Sequence, residues 1–251
     1  MGQIGIRYSR PLAFAMAPVL LPQGMLVRGR TPRLPEAGGE RTGAEGAEHA
    51  ASAEPLSVLV FGESTAAGVG VARQAEGLAP ALASRLAQLN RRPVNWRVVG
   101  RSGCTARQAL SRLVPEIEGG PFDIVVVALG INDLLTLRSA GAWREDVVEL
   151  AAALRPRLRP AGVIVLTGIP DVSDFPALPQ PMRGIMALHA RRLDLGLDRI
   201  ARNDPDVIHV MAPAVPRTEG SMYASDGFHP GPGGYRLWGE HLAEVLTVLP
   251  A

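Results

Sequence analysis

The sequence predicts an α/β fold with a parallel sheet covered by helices on both sides, and three observations carry that prediction. After Pro55, five short apolar runs alternate with helix-period segments. Runs such as Ile124-Val125-Val126-Val127-Ala128-Leu129 are apolar on both faces, as buried parallel strands are. The residues able to do chemistry fall at the carboxyl ends of these runs or in the loop before the last helix, where open α/β sheets bind ligands.

In chain order, Leu56–Phe61 reads as the first strand and Gln74–Asn90 as the helix behind it. Trp96–Val99 and Thr105–Leu113 form the next strand and helix, followed by Asp123–Leu129 and Trp143–Leu158. Gly162–Thr167, Gly184–Asn203, Val207–Val210 and a closing helix at Gly233–Leu249 complete the alternation. Strand–helix–strand order implies right-handed crossovers. No internal repeat is visible.

Before Pro55 the chain reads differently. Arg7 and Arg10 precede an uncharged stretch, Pro11 to Val27, and Arg28, Arg30 and Arg33 follow it. Residues 1–35 are therefore set apart as an apolar and basic N-terminal arm. The stretch is shorter than the roughly 20 residues that span a bilayer, and Pro18, Pro22 and Gln23 interrupt it. Three readings stand: a signal peptide with its only A-x-A site, Ala15-Met16-Ala17, placed early; a membrane-surface arm; and an arm packed on the domain. Residues 36–54, rich in Gly, Ala and Glu, read as a flexible linker to a domain at 55–251.

Composition excludes several classes. At 251 residues, 47% apolar and 20% charged, the chain suits one globular domain with a full core. All 26 basic residues are Arg, the net charge is +2 and only 4% of residues are aromatic. Without basic runs interleaved with aromatics, nucleic acid is not an expected partner. One cysteine, Cys104, rules out an intrachain disulfide and a cysteine-rich metal site. The histidines lack ligand spacing with acids, so no metal is expected. Gly68-Val69-Gly70-Val71-Ala72-Arg73 ends in Arg where a dinucleotide loop needs a small residue. The phosphate-loop lysine is absent, and no cofactor is expected. The favoured compartment is cytoplasmic or membrane-associated, with export as the alternative, and the oligomeric state is not legible.

Four segments carry chemistry. Ser64 follows the first strand in Phe61-Gly62-Glu63-Ser64, as an exposed nucleophile or as a helix N-cap. Gly103 follows the second strand in Ser102-Gly103-Cys104-Thr105, where its N–H is an oxyanion donor or part of a simple turn. Ser102 is a rival nucleophile, and Cys104 reads as a small buried filler. Asn132 follows the third strand in Gly130-Ile131-Asn132-Asp133, as a side-chain oxyanion donor or a turn residue. Asp226-Gly227-Phe228-His229-Pro230 sets an acid three residues before a histidine in a loop stiffened by Gly and Pro. Such a turn can orient the imidazole for base catalysis. His49, His189, His209 and His241 lack that setting. The loop at 168–182 is apolar and proline-stiffened, fit for a substrate pocket or for a packed connection.

In this order and at these strand ends, the four segments resemble the sequence blocks of the SGNH (GDSL-type) hydrolase superfamily, over about 55–251. The resemblance implies a three-layer α/β/α sandwich with a five-stranded parallel sheet of flavodoxin-like order. It implies a serine hydrolase of carboxylic esters, with Ser64 as nucleophile, His229 as base oriented by Asp226, and Gly103 and Asn132 as oxyanion donors. Short-chain esters are the favoured small-molecule substrates; lysophospholipid, thioester and carbohydrate O-acetyl substrates are alternatives from the same superfamily. A non-catalytic lipid- or sugar-binding relative is the alternative from another class. Peripheral membrane contact through the arm is a further expectation. Two residues depart from the pattern: Glu63 stands where Asp is usual, and Cys104 where Asp is common.

Overall fold

A computed structural model describes residues 6–49, 54–214 and 222–247. Six strands form one sheet: β1 (Thr42–Glu45), β2 (Leu56–Gly62), β3 (Val94–Gly100), β4 (Phe122–Ala128), β5 (Leu158–Thr167) and β6 (Val207–Val210). Their order across the sheet is β1-β3-β2-β4-β5-β6. All neighbours are parallel except β1, which runs antiparallel to β3 along the edge. The five runs expected as strands are β2 to β6, and the sixth strand is additional.

Within the stretch 36–54, expected as a flexible linker, residues Thr42–Glu45 are instead the strand β1, and residues 50–53 lie outside the described residues. Thr42-Gly43-Ala44-Glu45 pairs with Arg97 through Val94. Just before it, Ala37 and Gly38 donate to the carbonyls of Ala67 and Ala72, and Gln74 donates back to Gly38. These bonds are made by backbone, so a Gly/Ala/Glu composition with little to bury was no obstacle to them. An edge strand must satisfy only one side of its ladder and needs no apolar run.

Helices cover both faces. The short α1 (Ser9–Ala15) and α2 (Ala17–Arg30) precede the sheet. α3 (Leu78–Asn90) and α8 (Pro232–Thr247) pack on one face, over Val58, Val60, Val126 and Val165. On the other face α4 (Ala106–Gln108), α6 (Ala140–Leu154) and α7 (Met182–Asn203) close over Leu59, Phe61, Val125, Val127 and Leu166. Alternation of side chains along each strand explains how one apolar run feeds both cores. The helix expected over Thr105–Leu113 is α4 continued by a π turn at Ala109–Leu113. Residues 248–249 of the expected last helix lie outside the described residues.

The arm lies against α7. Ser9 is fully buried, its hydroxyl 3.1 Å from His189 Nδ1, while the other ring nitrogen meets the Arg138 carbonyl at 3.0 Å. Gln23 donates to the Gln180 carbonyl and accepts from the Met182 amide. Ala13, Leu20 and Ile185 form a small core of their own between arm and domain.

Candidate active site

Ser64 stands in the turn that leaves β2. Strand register puts Gly62 level with Gly100 of β3 and Ala128 of β4, so three strand ends open onto one place. The turn over 64–70 is held by Ala67 N–H to the Glu63 carbonyl and Val69 N–H to the Ser64 carbonyl, each 3.0 Å. Ser64 caps no helix; its Oγ lies 3.0 Å from His229 Nε2. That distance favours the nucleophile reading over the cap.

His229 arrives from a loop 165 residues downstream. One carboxylate oxygen of Asp226 accepts from the Phe228 and His229 amides at 2.9 and 3.0 Å, which bends the loop into a tight turn. The other oxygen meets His229 Nδ1 at 2.6 Å. This explains the three-residue spacing: one carboxylate both shapes the turn and fixes the ring, leaving Nε2 toward the serine. Asp226 is buried, which keeps water from competing for it.

Two contacts lock the histidine loop to the serine turn. Tyr235, at the start of α8, is wholly buried and donates to the Val69 carbonyl at 2.7 Å. Burial pushes its hydroxyl well above the ordinary phenol range. At Gly70, with φ +107°, an added Cβ would stand 2.2 Å from the Pro230 carbonyl oxygen. Only glycine allows both that backbone angle and that approach.

Gly103 follows β3 with φ +79°, in an open turn where a Cβ would meet nothing within 4 Å. Among the described residues its N–H and that of Ser64 have no acceptor, so both are free to donate. Ser102 is exposed; its amide donates to Glu36 Oε1, and no histidine bonds to it. Cys104 is buried, and burial together with the nearby Glu63 pushes its thiol up to about 11. A protonated buried thiol is a poor nucleophile, in keeping with a filler.

Asn132 lies in the short helix α5 (Ile131–Leu135). Its side-chain Nδ2 donates to Glu63 Oε2 and, at 3.3 Å, to the Cys104 carbonyl. Glu63 also accepts from the Ile131 amide at 2.8 Å and the Asn132 amide at 3.0 Å. The longer carboxylate thus reaches across from β2 and holds both backbone and side chain of Asn132. Burial pushes the Glu63 carboxyl up to about 7, against those two amide bonds and with a smaller push from the Asp133 charge. Asp133 is itself buried, accepts from the Ala106 amide at 2.9 Å and is pushed up to about 6, chiefly by burial. The roles of Glu63 in gripping Asn132, and of Glu36 in reaching Ser102 from the expected linker, were missed from sequence. Only the replacement of the usual Asp by Glu63 hinted at the first.

An apolar cavity of about 50 Å³ adjoins Ser64 and His229. Ile131, Phe175, Met222, Tyr223, Phe228 and Trp238 contribute to its walls. Phe175 and Phe228 meet edge to face at 5.1 Å. In the 168–182 loop Pro170 and Phe175 line the cavity, while Val172 and Leu178 are buried in the core. Among the described residues no group of three or more His, Cys, Asp or Glu is arranged to hold a metal.

Residues 60–237 match the family described as GDSL-like Lipase/Acylhydrolase. A GDSL-like esterase of Mycobacterium tuberculosis is 28% identical over 187 residues, covering 72% of this chain and 59% of that protein. The chain thus spans well under two thirds of the length of that curated relative. Among solved structures, a carbohydrate acetylesterase from Sinorhizobium meliloti superposes with a TM-score of 0.59 at 18% identity, covering 78% of this chain and all of the other. The aryl esterase of M. smegmatis gives 0.57 at 20% identity, with the same coverage. At those identities the likeness is one of fold.

Proposed function

The chain belongs to the GDSL-like lipase/acylhydrolase family, and from that premise we propose that it hydrolyses carboxylic esters through an acyl-enzyme on Ser64. The observation that carries this reading is the unbroken line from Ser64 Oγ through the His229 ring to Asp226, at 3.0 and 2.6 Å. His229 takes the Ser64 proton as Oγ attacks the ester carbonyl. Asp226 keeps Nδ1 protonated and steadies the imidazolium that forms. The oxyanion is received by the Ser64 and Gly103 N–H groups and by the Asn132 Nδ2–H that exchanges its 3.3 Å bond to the Cys104 carbonyl for the oxyanion. His229 then protonates the leaving alcohol. In the second half it activates a water that releases the acid and frees Ser64.

The apolar, aromatic walls of the cavity favour an apolar acyl or alcohol group, and the sequence shows no large lid insertion to deepen it, which favours a short one. Hydrolysis of p-nitrophenyl esters from acetyl to palmitoyl by wild type and Ser64→Ala tests the proposal. Turnover that peaks at short chains and disappears in the mutant is expected. Activity surviving in Ser64→Ala would assign the wrong nucleophile.

A further inference from the structure

The N-terminal arm has one face against the domain and one that is exposed. Along α2, Leu20, Gln23, Gly24 and Val27 turn toward the domain, at the spacing of one helical stripe. Val19, Leu21, Met25 and Leu26 turn outward, with Leu21 66% and Met25 69% exposed. Phe14 of α1 is 55% exposed. Seven of the twelve exposed large apolar side chains among the described residues lie within 8–26. A concentration of that kind on one element marks an interaction surface.

Charge says what that surface meets. Arg7, Arg10, Arg28, Arg30 and Arg33 are all exposed, and none pairs with an acid among the described residues. The first acid in the chain is Glu36, so residues 1–35 carry only positive side-chain charge. Arg10 lies over the Phe14 ring at 5.1 Å, holding a cation beside an apolar group. A two-fold contact with a second copy would set these arginines against themselves. A surface rich in anionic headgroups above an apolar interior complements both features at once.

We propose that α1 and α2 dock this protein onto an anionic lipid bilayer, lying in the plane of the interface rather than crossing it. No single helix among the described residues is long and apolar enough to cross, and the α1–α2 pair, which together has the length and composition, is broken by a sharp bend. The two helices meet at 87°, and their inner faces are tied to α7 through Ser9 and Gln23. The outer face alone is available to lipid.

The full chain should be sedimented with vesicles of phosphatidylcholine alone and of phosphatidylcholine with phosphatidylglycerol, at low and high salt. Binding only to the anionic vesicles, weakened by salt and reversed by alkaline carbonate, is expected. Each arginine near the surface is worth about fivefold in partitioning, so Arg28→Glu with Arg30→Glu should weaken binding by at least about 25-fold. Leu21→Ser with Met25→Ser should weaken it by at least about tenfold. These four positions are exposed, so both variants should unfold at the wild-type urea midpoint, which certifies their fold. Absence of binding to anionic vesicles, or undiminished binding by either variant, would overturn the proposal. So would retention after carbonate, which means a spanning segment. Self-association lost in Leu21→Ser with Met25→Ser, without vesicle binding, would assign the face to a second copy instead. None of these readouts depends on ester turnover by Ser64.

Discussion

Glu63→Gln isolates the energetics of the buried carboxylate beneath the site. Burial lifts Glu63 from its ordinary 4.5 to about 7, so the folded protein holds this proton more tightly than the unfolded chain. The stability that Glu63 contributes is therefore full below about pH 4.5 and is lost as pH rises through 7. At 1.36 kcal/mol per pH unit, the loss over that window is about 3 kcal/mol. Glutamine cannot titrate, and its amide leaves one of the donors from Ile131 and Asn132 without an acceptor at every pH. That fixed penalty is about 1–3 kcal/mol. Urea unfolding of both proteins at pH 5 and pH 8 should show the difference in stability moving toward the mutant by about 2.5 kcal/mol, since at pH 5 the unfolded carboxyl is already largely ionised. Asp133, also raised, is present in both and largely cancels. A difference that stays constant with pH would refute the claim that Glu63 is buried against its charge.

Three further outcomes follow from the same geometry. Asn132→Ala, which removes the side-chain donor, should lower kcat by about 10² to 10³ with little change in KM, read from steady-state ester hydrolysis. Gly70→Ala forces a Cβ onto the Pro230 carbonyl and should cut kcat while lowering the melting temperature, since the serine turn and histidine loop must part. Tyr235→Phe leaves the Val69 carbonyl without its donor and should cost about 1–3 kcal/mol in chemical denaturation.

Much of this arrangement is legible from residues alone, for identifiable reasons. Strands such as Ile124–Ala128 announce themselves because both faces are buried, and Ser64, Gly103, Asn132, Asp226 and His229 lie where strand ends or a rigid loop deliver them. β1 is silent because its four residues are held by backbone bonds to β3, which leave no mark on side-chain pattern. His189 looked unremarkable as a lone helical histidine. Its meaning depends on Ser9, 180 positions away, closing over it, and burial then lowers its pKa. Glu63 lay in plain view, but its bond to Asn132 spans two strand ends. Contacts across long sequence separations are where reading residue by residue stops.

The separation between Ser64 and His229 has a consequence for how the protein comes into being. The serine emerges from the ribosome with the first parallel strand, while His229 follows 165 residues later. Until the last helix docks, with Tyr235 reaching Val69, the hydroxyl has no partner to take its proton. On the proposed mechanism a nascent or partly folded chain is therefore inactive, and the first ester cleaved would report that the whole sheet has closed. Recovery of activity during refolding is a probe of the final, most non-local step.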